Sequence, residues 1–136
     1  LLFGMPGIPC VYYGSEWGAE GEKHQGDDAL RPSFEAPAWN ELTDWIAALA
    51  KAHKESKALC YGDFKQVVLT NKQCIWERIF EDERVLVAVN IDEQPYTAHF
   101  DAKCGMAVDL ITGKPHDFGG GSELPPYSAY FWKCER

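Results

Sequence analysis

The chain of 136 residues is 46% hydrophobic and 25% charged, the balance of a folded globular protein and not of a disordered one. A formal charge of −8 without any Lys/Arg cluster argues against nucleic acid as a partner, and no stretch approaches the roughly 20 apolar residues of a membrane span. Cys10, Cys60, Cys74, Cys104 and Cys134 form neither a CxxC pair nor a tight disulfide framework, so they read as reduced thiols and point to a cytoplasmic protein.

The first predicted element is a strand over 8–13, "IPCVYY", a continuous apolar run closed by Gly14. Such a run suits a strand buried on both faces, and Pro9 rules out a buried helix. From Gly14 to about Pro37 the chain reads as loop, with glycines at 14, 18, 21 and 26 and acids at 16, 20, 22, 27 and 28. That is long for a mere connection and suggests a job. From Trp39 to Leu59 the period turns helical. Trp39, Leu42, Ile46, Leu49 and His53 share a stripe that Trp45 and Ala50 widen. Asn40 can cap the start, with Glu41 and Asp44 at the positive end of the helix dipole and Lys51, Lys54 and Lys57 toward its negative end.

Beyond Tyr61 the period falls to two. Strands are predicted at 64–70, 73–80, 84–91, 96–100, 106–111 and 127–133, with joints such as Asn71-Lys72 and Thr112-Gly113-Lys114 that carry turn chemistry. Six short strands with tight joints predict an antiparallel sandwich, and 117–126, "DFGGGSELPP", reads as a mobile loop before the last strand. The chain thus divides near residue 60, into 1–59 and 60–136.

The acids Glu16, Glu20, Glu22, Asp27 and Asp28 share one glycine-spaced loop, which reads as a solvated acidic segment before it reads as a catalytic pair. Tyr12 and Tyr13 suit a core, whereas Trp17 in the loop is equally suited to stacking on a sugar ring. His24 beside Asp27 and Asp28 makes a poor cation site, so no metal is expected. "FGGGSE" lacks the Lys of a phosphate loop, and no cofactor is expected. Among Trp76, Tyr127, Tyr130, Phe131 and Trp132, core packing explains most, and an exposed pair would make a carbohydrate platform.

"GIPCVYYGSEWG" resembles the eighth barrel strand and following loop of the alpha-amylase family of glycoside hydrolases. Asp27 and Arg31 stand four apart, like the Asp and Arg of that family's NDPxxR stretch, although Asp28 replaces its common Pro. "ELTDWIAALAKAHKESKAL" resembles the last barrel helix, and "RVLVAVNI", "DLITGK" and "LPPYSAYFW" resemble the C-terminal β-sandwich. The resemblance implies a mainly β fold. Residues 1–59 would be the strand, acidic loop and helix of a (β/α)8 barrel, and residues 60–136 the antiparallel sandwich.

It implies further that Asp27 and Arg31 hydrogen-bond a non-reacting glucose unit of an α-glucan, with Trp17 as a stacking ring and Glu16 bracing neighbouring loops. The alternative for Asp27 and Arg31 is a local ion pair. The family's Asp nucleophile, Glu acid/base and second Asp follow its fourth, fifth and seventh barrel strands. None of their signatures occurs here, so they are expected upstream of Leu1 and the chain itself is expected to be inactive. A free-standing carbohydrate-binding module is the alternative. Residues 1 to 13 are expected to fold back on the sandwich, to pair with another copy in a homo-oligomer, or to lie partly disordered.

Overall fold

The computed structural model describes residues 1–135. In chain order the strands are β1 (Asp63–Leu69), β2 (Gln73–Phe80), β3 (Glu83–Asn90), β4 (Tyr96–Ala98), β5 (Met106–Asp109), β6 (Pro115–Asp117), β7 (Ser122–Leu124) and β8 (Ser128–Cys134). Six of them form one antiparallel sheet in the order β1-β2-β3-β8-β5-β6, and β4 pairs with β7 as a second, small sheet. The helices are α1 (Asp27–Leu30), α2 (Glu41–Glu55) and α3 (Lys57–Tyr61).

The large sheet is covered on both faces. Val85, Val87 and Val89 of β3 turn to one side, where they pack with Trp76, Phe131 and, from the helices, Ala52, Ala58 and Leu59. Leu86 and Ala88 turn to the other, against Ile75 and Trp132 of the same sheet and Ala98 and Leu124 of the small one. The two-residue period of a strand thus splits an apolar run between two cores. Burying each valine, leucine, isoleucine or phenylalanine among them is worth about 1.5–3 kcal/mol. This is the expected sandwich, with a helical layer added to its outer face.

Two buried polar residues lock the strands together. Asn90 donates from Nδ2 to the carbonyls of Gln94, Leu124 and Pro125, each at 3.0 Å, and accepts at Oδ1 from Gln73 Nε2 and Asp92 N–H. Asp109 accepts from Phe131 N–H at 3.0 Å and from the Thr112 hydroxyl at 2.6 Å, fixing the turn that leads to β6. Each group finds partners, as burial demands.

Several expectations need correction. Residues 8–13 form no strand and join neither sheet. Pro9 offers no N–H, and no described strand runs alongside to supply a ladder, so the apolar run lies at the surface with Ile8 96% exposed. Tyr12 and Tyr13 are therefore surface residues, not core. The predicted helix over 39–59 breaks at Ser56, whose hydroxyl accepts from Leu59 N–H and donates to Glu83. The break turns Ala58 and Leu59 down onto the sheet, fully buried. Along α2 only part of the predicted stripe packs inward: Ile46, Leu49, Ala50 and His53 meet the sheet, while Trp39, Leu42 and Trp45 stay exposed. The stretch 117–126 contains β7, pinned by β4, and β6 was not anticipated.

The first residues do fold back. Phe3 enters the helix-side core. The Gly4 carbonyl accepts from Trp76 Nε1 at 2.9 Å and from Arg78 Nη1 at 3.0 Å, and His53 Nδ1 donates to the Phe3 carbonyl at 2.8 Å. Arg78 also donates to the Gly62 carbonyl, and its burial pulls the guanidinium below its ordinary pKa.

Candidate functional site

The loop that the sequence singles out is built as a series of short turns. Gly14 opens the 3₁₀ turn Ser15–Trp17 at φ 88°, and a Cβ there would come within 2.9 Å of the Phe34 ring, so both conformation and space require glycine. A second 3₁₀ turn, Lys23–Gln25, carries a reciprocal cap between Glu22 and Gln25, and His24 meets Glu22 at 2.9 Å. The single turn of α1 follows. Gly21 lies so close beneath it that a Cβ would stand 2.0 Å from the Ala29 carbonyl oxygen. These approaches fold the segment onto itself without a core.

One tether ties the loop to the helix. Asn40 caps α2, its side-chain oxygen accepting from Thr43 N–H, while its Nδ2 donates to the Trp17 carbonyl at 2.9 Å. The same residue therefore starts the helix and holds the 3₁₀ turn beside it.

Four aromatic rings gather here. Trp17 meets Phe34 edge-on at 5.2 Å, Phe34 meets Tyr13 at 5.9 Å, and Tyr13 meets Tyr12 at 4.8 Å. Tyr12, Tyr13 and Phe34 are all exposed. Local desolvation beside the neighbouring rings and the Tyr12 hydroxyl push the Tyr13 phenol above its ordinary pKa, and the Arg31 charge opposes them. Phe34 has only one mark in the sequence, an aromatic just past Pro32 in an otherwise polar stretch.

Among the expected site residues, Glu16 and Trp17 share the first turn and are half-buried. Glu16 Oε2 and Trp17 Nε1 are both shielded and lack a hydrogen-bond partner, an acceptor and a donor standing unused. Asp27 and Arg31 flank the single turn of α1, both exposed, and are joined through the backbone by Arg31 N–H to the Asp27 carbonyl at 3.0 Å. Among the described residues no ion pair links their side chains, so both remain free to meet another group. Such a surface offers ring faces for stacking and a carboxylate and a guanidinium for hydroxyl groups.

The aromatics singled out in the second half behave differently. Trp76, Phe131 and Trp132 are buried, Tyr130 stacks on Trp132 at 5.1 Å, and Tyr127, just before β8, stands exposed. A groove of about 650 Å³ lies between α2, the β5–β6 turn and β8, with Trp45, Ile111 and Tyr127 on its walls. Among the described residues no cluster of His, Cys, Asp and Glu could hold a metal ion.

No family model matches the chain. It is, however, similar to the cyclomaltodextrin glucanotransferase of Niallia circulans, 31% identical over 117 residues, which is 85% of this chain and 15% of that protein. It also matches an alpha-amylase of the same organism, 33% identical over 86 residues, 62% of this chain and 16% of that one. The fold superposes on the alpha-amylase of Geobacillus thermoleovorans, solved with acarbose, at a TM-score of 0.86 and 22% identity, covering 99% of this chain and 31% of that structure. By sequence and by fold, the chain is thus similar to one part of alpha-amylase-family glycoside hydrolases. It spans about 15% of the length of the curated relatives it matches. Both the loop–helix segment and the sandwich fall within the structural match to the amylase, which covers 99% of this chain.

Proposed function

We propose that this chain is the C-terminal part of an alpha-amylase-like glycosidase acting on α-glucans or maltodextrins. Residues 1–59 then belong to a (β/α)8 barrel, and residues 60–136 are the C-terminal sandwich that stabilises its flank. One observation carries the reading: the match to the glucanotransferase runs through 85% of this chain yet amounts to 15% of that enzyme. A free-standing carbohydrate-binding module is less favoured, because the similarity does not stop at the sandwich.

In this reading the loop from Gly14 to Arg31 is part of the sugar-binding wall. Asp27 and Arg31 hydrogen-bond a non-reacting glucose unit, Trp17 offers its ring, and Glu16 braces the neighbouring loop. The unpaired side chains of Asp27 and Arg31 and the unused atoms of Glu16 and Trp17 support it. Retaining glycosidases hold two carboxyl groups about 5–5.5 Å apart on rigid elements, so the reacting pair is assigned to the rest of the parent enzyme. The protein works in the cytoplasm, in keeping with its free thiols. Self-association would use residues 8–13, and light scattering tests it: a strict monomer removes that partner.

The test of function has two arms. The purified chain, incubated with maltodextrin, is expected to release no reducing sugar; hydrolysis by the chain alone overturns the reading. In the parent enzyme, Asp27→Ala or Arg31→Ala is expected to raise KM for maltoheptaose by roughly tenfold, the scale of one lost charge-assisted hydrogen bond. An unchanged KM removes these two residues from the wall.

A further inference from the structure

Cys104 lies in the loop leading into β5, and Cys134 ends β8. The β5–β8 ladder pairs Ala107 with Cys134, and past it Glu135 N–H donates to the Met106 carbonyl at 3.0 Å. That register draws two thiols together from positions 30 residues apart: Cys104 Sγ donates to Cys134 Sγ at 2.9 Å. Closing to the covalent S–S distance of about 2.05 Å needs a movement of about 0.9 Å. Spacing in the sequence gives no hint of the pair, because the strand register creates it.

The surroundings suit sulfur chemistry. Arg84 of β3 points its Nη1 at Cys134 Sγ, 3.3 Å away, and at Cys104 Sγ, 3.7 Å away. Glu77 and the Ala102 carbonyl hold that guanidinium in place. Both cysteines are half-exposed, so a small reagent can reach them. Among the described residues the Cys104–Cys134 contact is the sulfur–sulfur hydrogen bond, whereas Cys60 Sγ donates to the His53 carbonyl.

We propose that Cys104 and Cys134 are a site of oxidative modification, a dithiol that closes to a disulfide by exchange with a low-molecular-weight disulfide such as glutathione disulfide. One protein thiolate attacks a sulfur of the reagent, forms a mixed disulfide and expels one glutathione thiolate. The second protein thiolate then attacks the mixed disulfide and expels the other. Two protein thiols are oxidised, one glutathione disulfide is reduced to two glutathione thiols, and two protons leave the protein for the departing thiolates. Burial, and then the hydrogen bond with Cys104, push the Cys134 thiol up to about 12, against the pull of Arg84. Either thiol can begin the exchange, and the other then closes the bond. The bridge staples β8 to the approach of β5, independently of the activity proposed above.

The test uses the full chain, equilibrated with glutathione disulfide, alkylated and mapped by mass spectrometry beside a sample kept in dithiothreitol. A linked Cys104–Cys134 peptide is expected in the oxidised sample, with a melting temperature on the order of 10 °C higher. Cys10→Ser is expected to keep both signals, and Cys104→Ser and Cys134→Ser to lose both. Recovery of both cysteines as alkylated thiols, or as separate glutathione adducts, overturns the proposal. So does a linked peptide with no change in melting temperature, because then the bond staples nothing. The wild-type mapping decides the matter even if a serine variant fails to fold.

Discussion

Two regions of this chain carry apolar runs and meet opposite fates. From Gln73 to Asn90 the hairpin of β2 and β3 buries most of its residues, down to the whole indole of Trp76. From Met5 to Leu42 only Gly14 is buried, although this stretch includes Ile8, Val11, Tyr12, Tyr13 and Phe34. Hydrophobicity belongs to a residue, but burial belongs to a pair of surfaces. The hairpin has its second surface within the chain, as helices on one side and a small sheet on the other. The loop region closes on itself through glycine contacts and one asparagine tether, and leaves its rings facing out.

The contrast can be attacked from its strong side first. Trp76→Ala removes one of the two largest fully buried side chains and the indole bond to Gly4, and should cost about 3–5 kcal/mol in thermal or urea unfolding. Tyr12→Ala, which deletes as exposed a ring as the loop offers, should stay within about 0.5 kcal/mol. Comparable losses from the two would abolish the distinction between the regions. Next, Asn90→Ala strands the carbonyls of Leu124 and Pro125 and should cost about 2–3 kcal/mol, read as a lower denaturation midpoint with an unchanged slope. Asn40→Ala lies on the border between the regions. Loss of the α2 cap should cost about 1 kcal/mol, and hydrogen exchange should speed up at Ser15–Trp17, which the same side chain tethers.

The smallest effect concerns pH. His116 stacks on Trp132 at 4.1 Å, and burial pulls its imidazole below the ordinary value, outweighing Asp117 and Asp109, which pull upward. The unfolded chain therefore takes up the proton first as pH falls. The stability tied to neutral His116 is complete above the unfolded pKa of about 6.5 and is lost as pH drops through the lower folded value. Melting temperatures recorded from pH 7.5 downward should fall, and the fall should be shallower in His116→Phe.

The sequence announces what local periodicity decides. The strands of the β2–β3 hairpin and β8 were legible from alternation and turn residues, as was α2 from its Asn40 cap and its spacing. What depends on distant partners was not. Residues 8–13 read as a strand because their composition is that of one, and composition cannot report whether a neighbour exists. Ser56 breaks the helix because Glu83 accepts its hydroxyl, a contact from the far side of a turn. The short strands β6 and β7 have too few residues for any period to show. At the candidate site the loop, its acids and Trp17 were legible, whereas the Phe34 lid over Gly14 and the absence of an Asp27–Arg31 pair follow from three-dimensional closure alone.

The hold that Trp76 and Arg78 keep on the Gly4 carbonyl has a consequence for the order of events in folding. The hairpins β1–β2 and β2–β3 close across turns of a few residues, whereas this hold spans 72 residues to Trp76 and 74 to Arg78. Loop-closure entropy therefore sets the hairpins early and the hold late. A guanidinium and an indole wait inside a nearly finished sheet until Gly4 arrives, so this contact is the last to be seated and the first to come away.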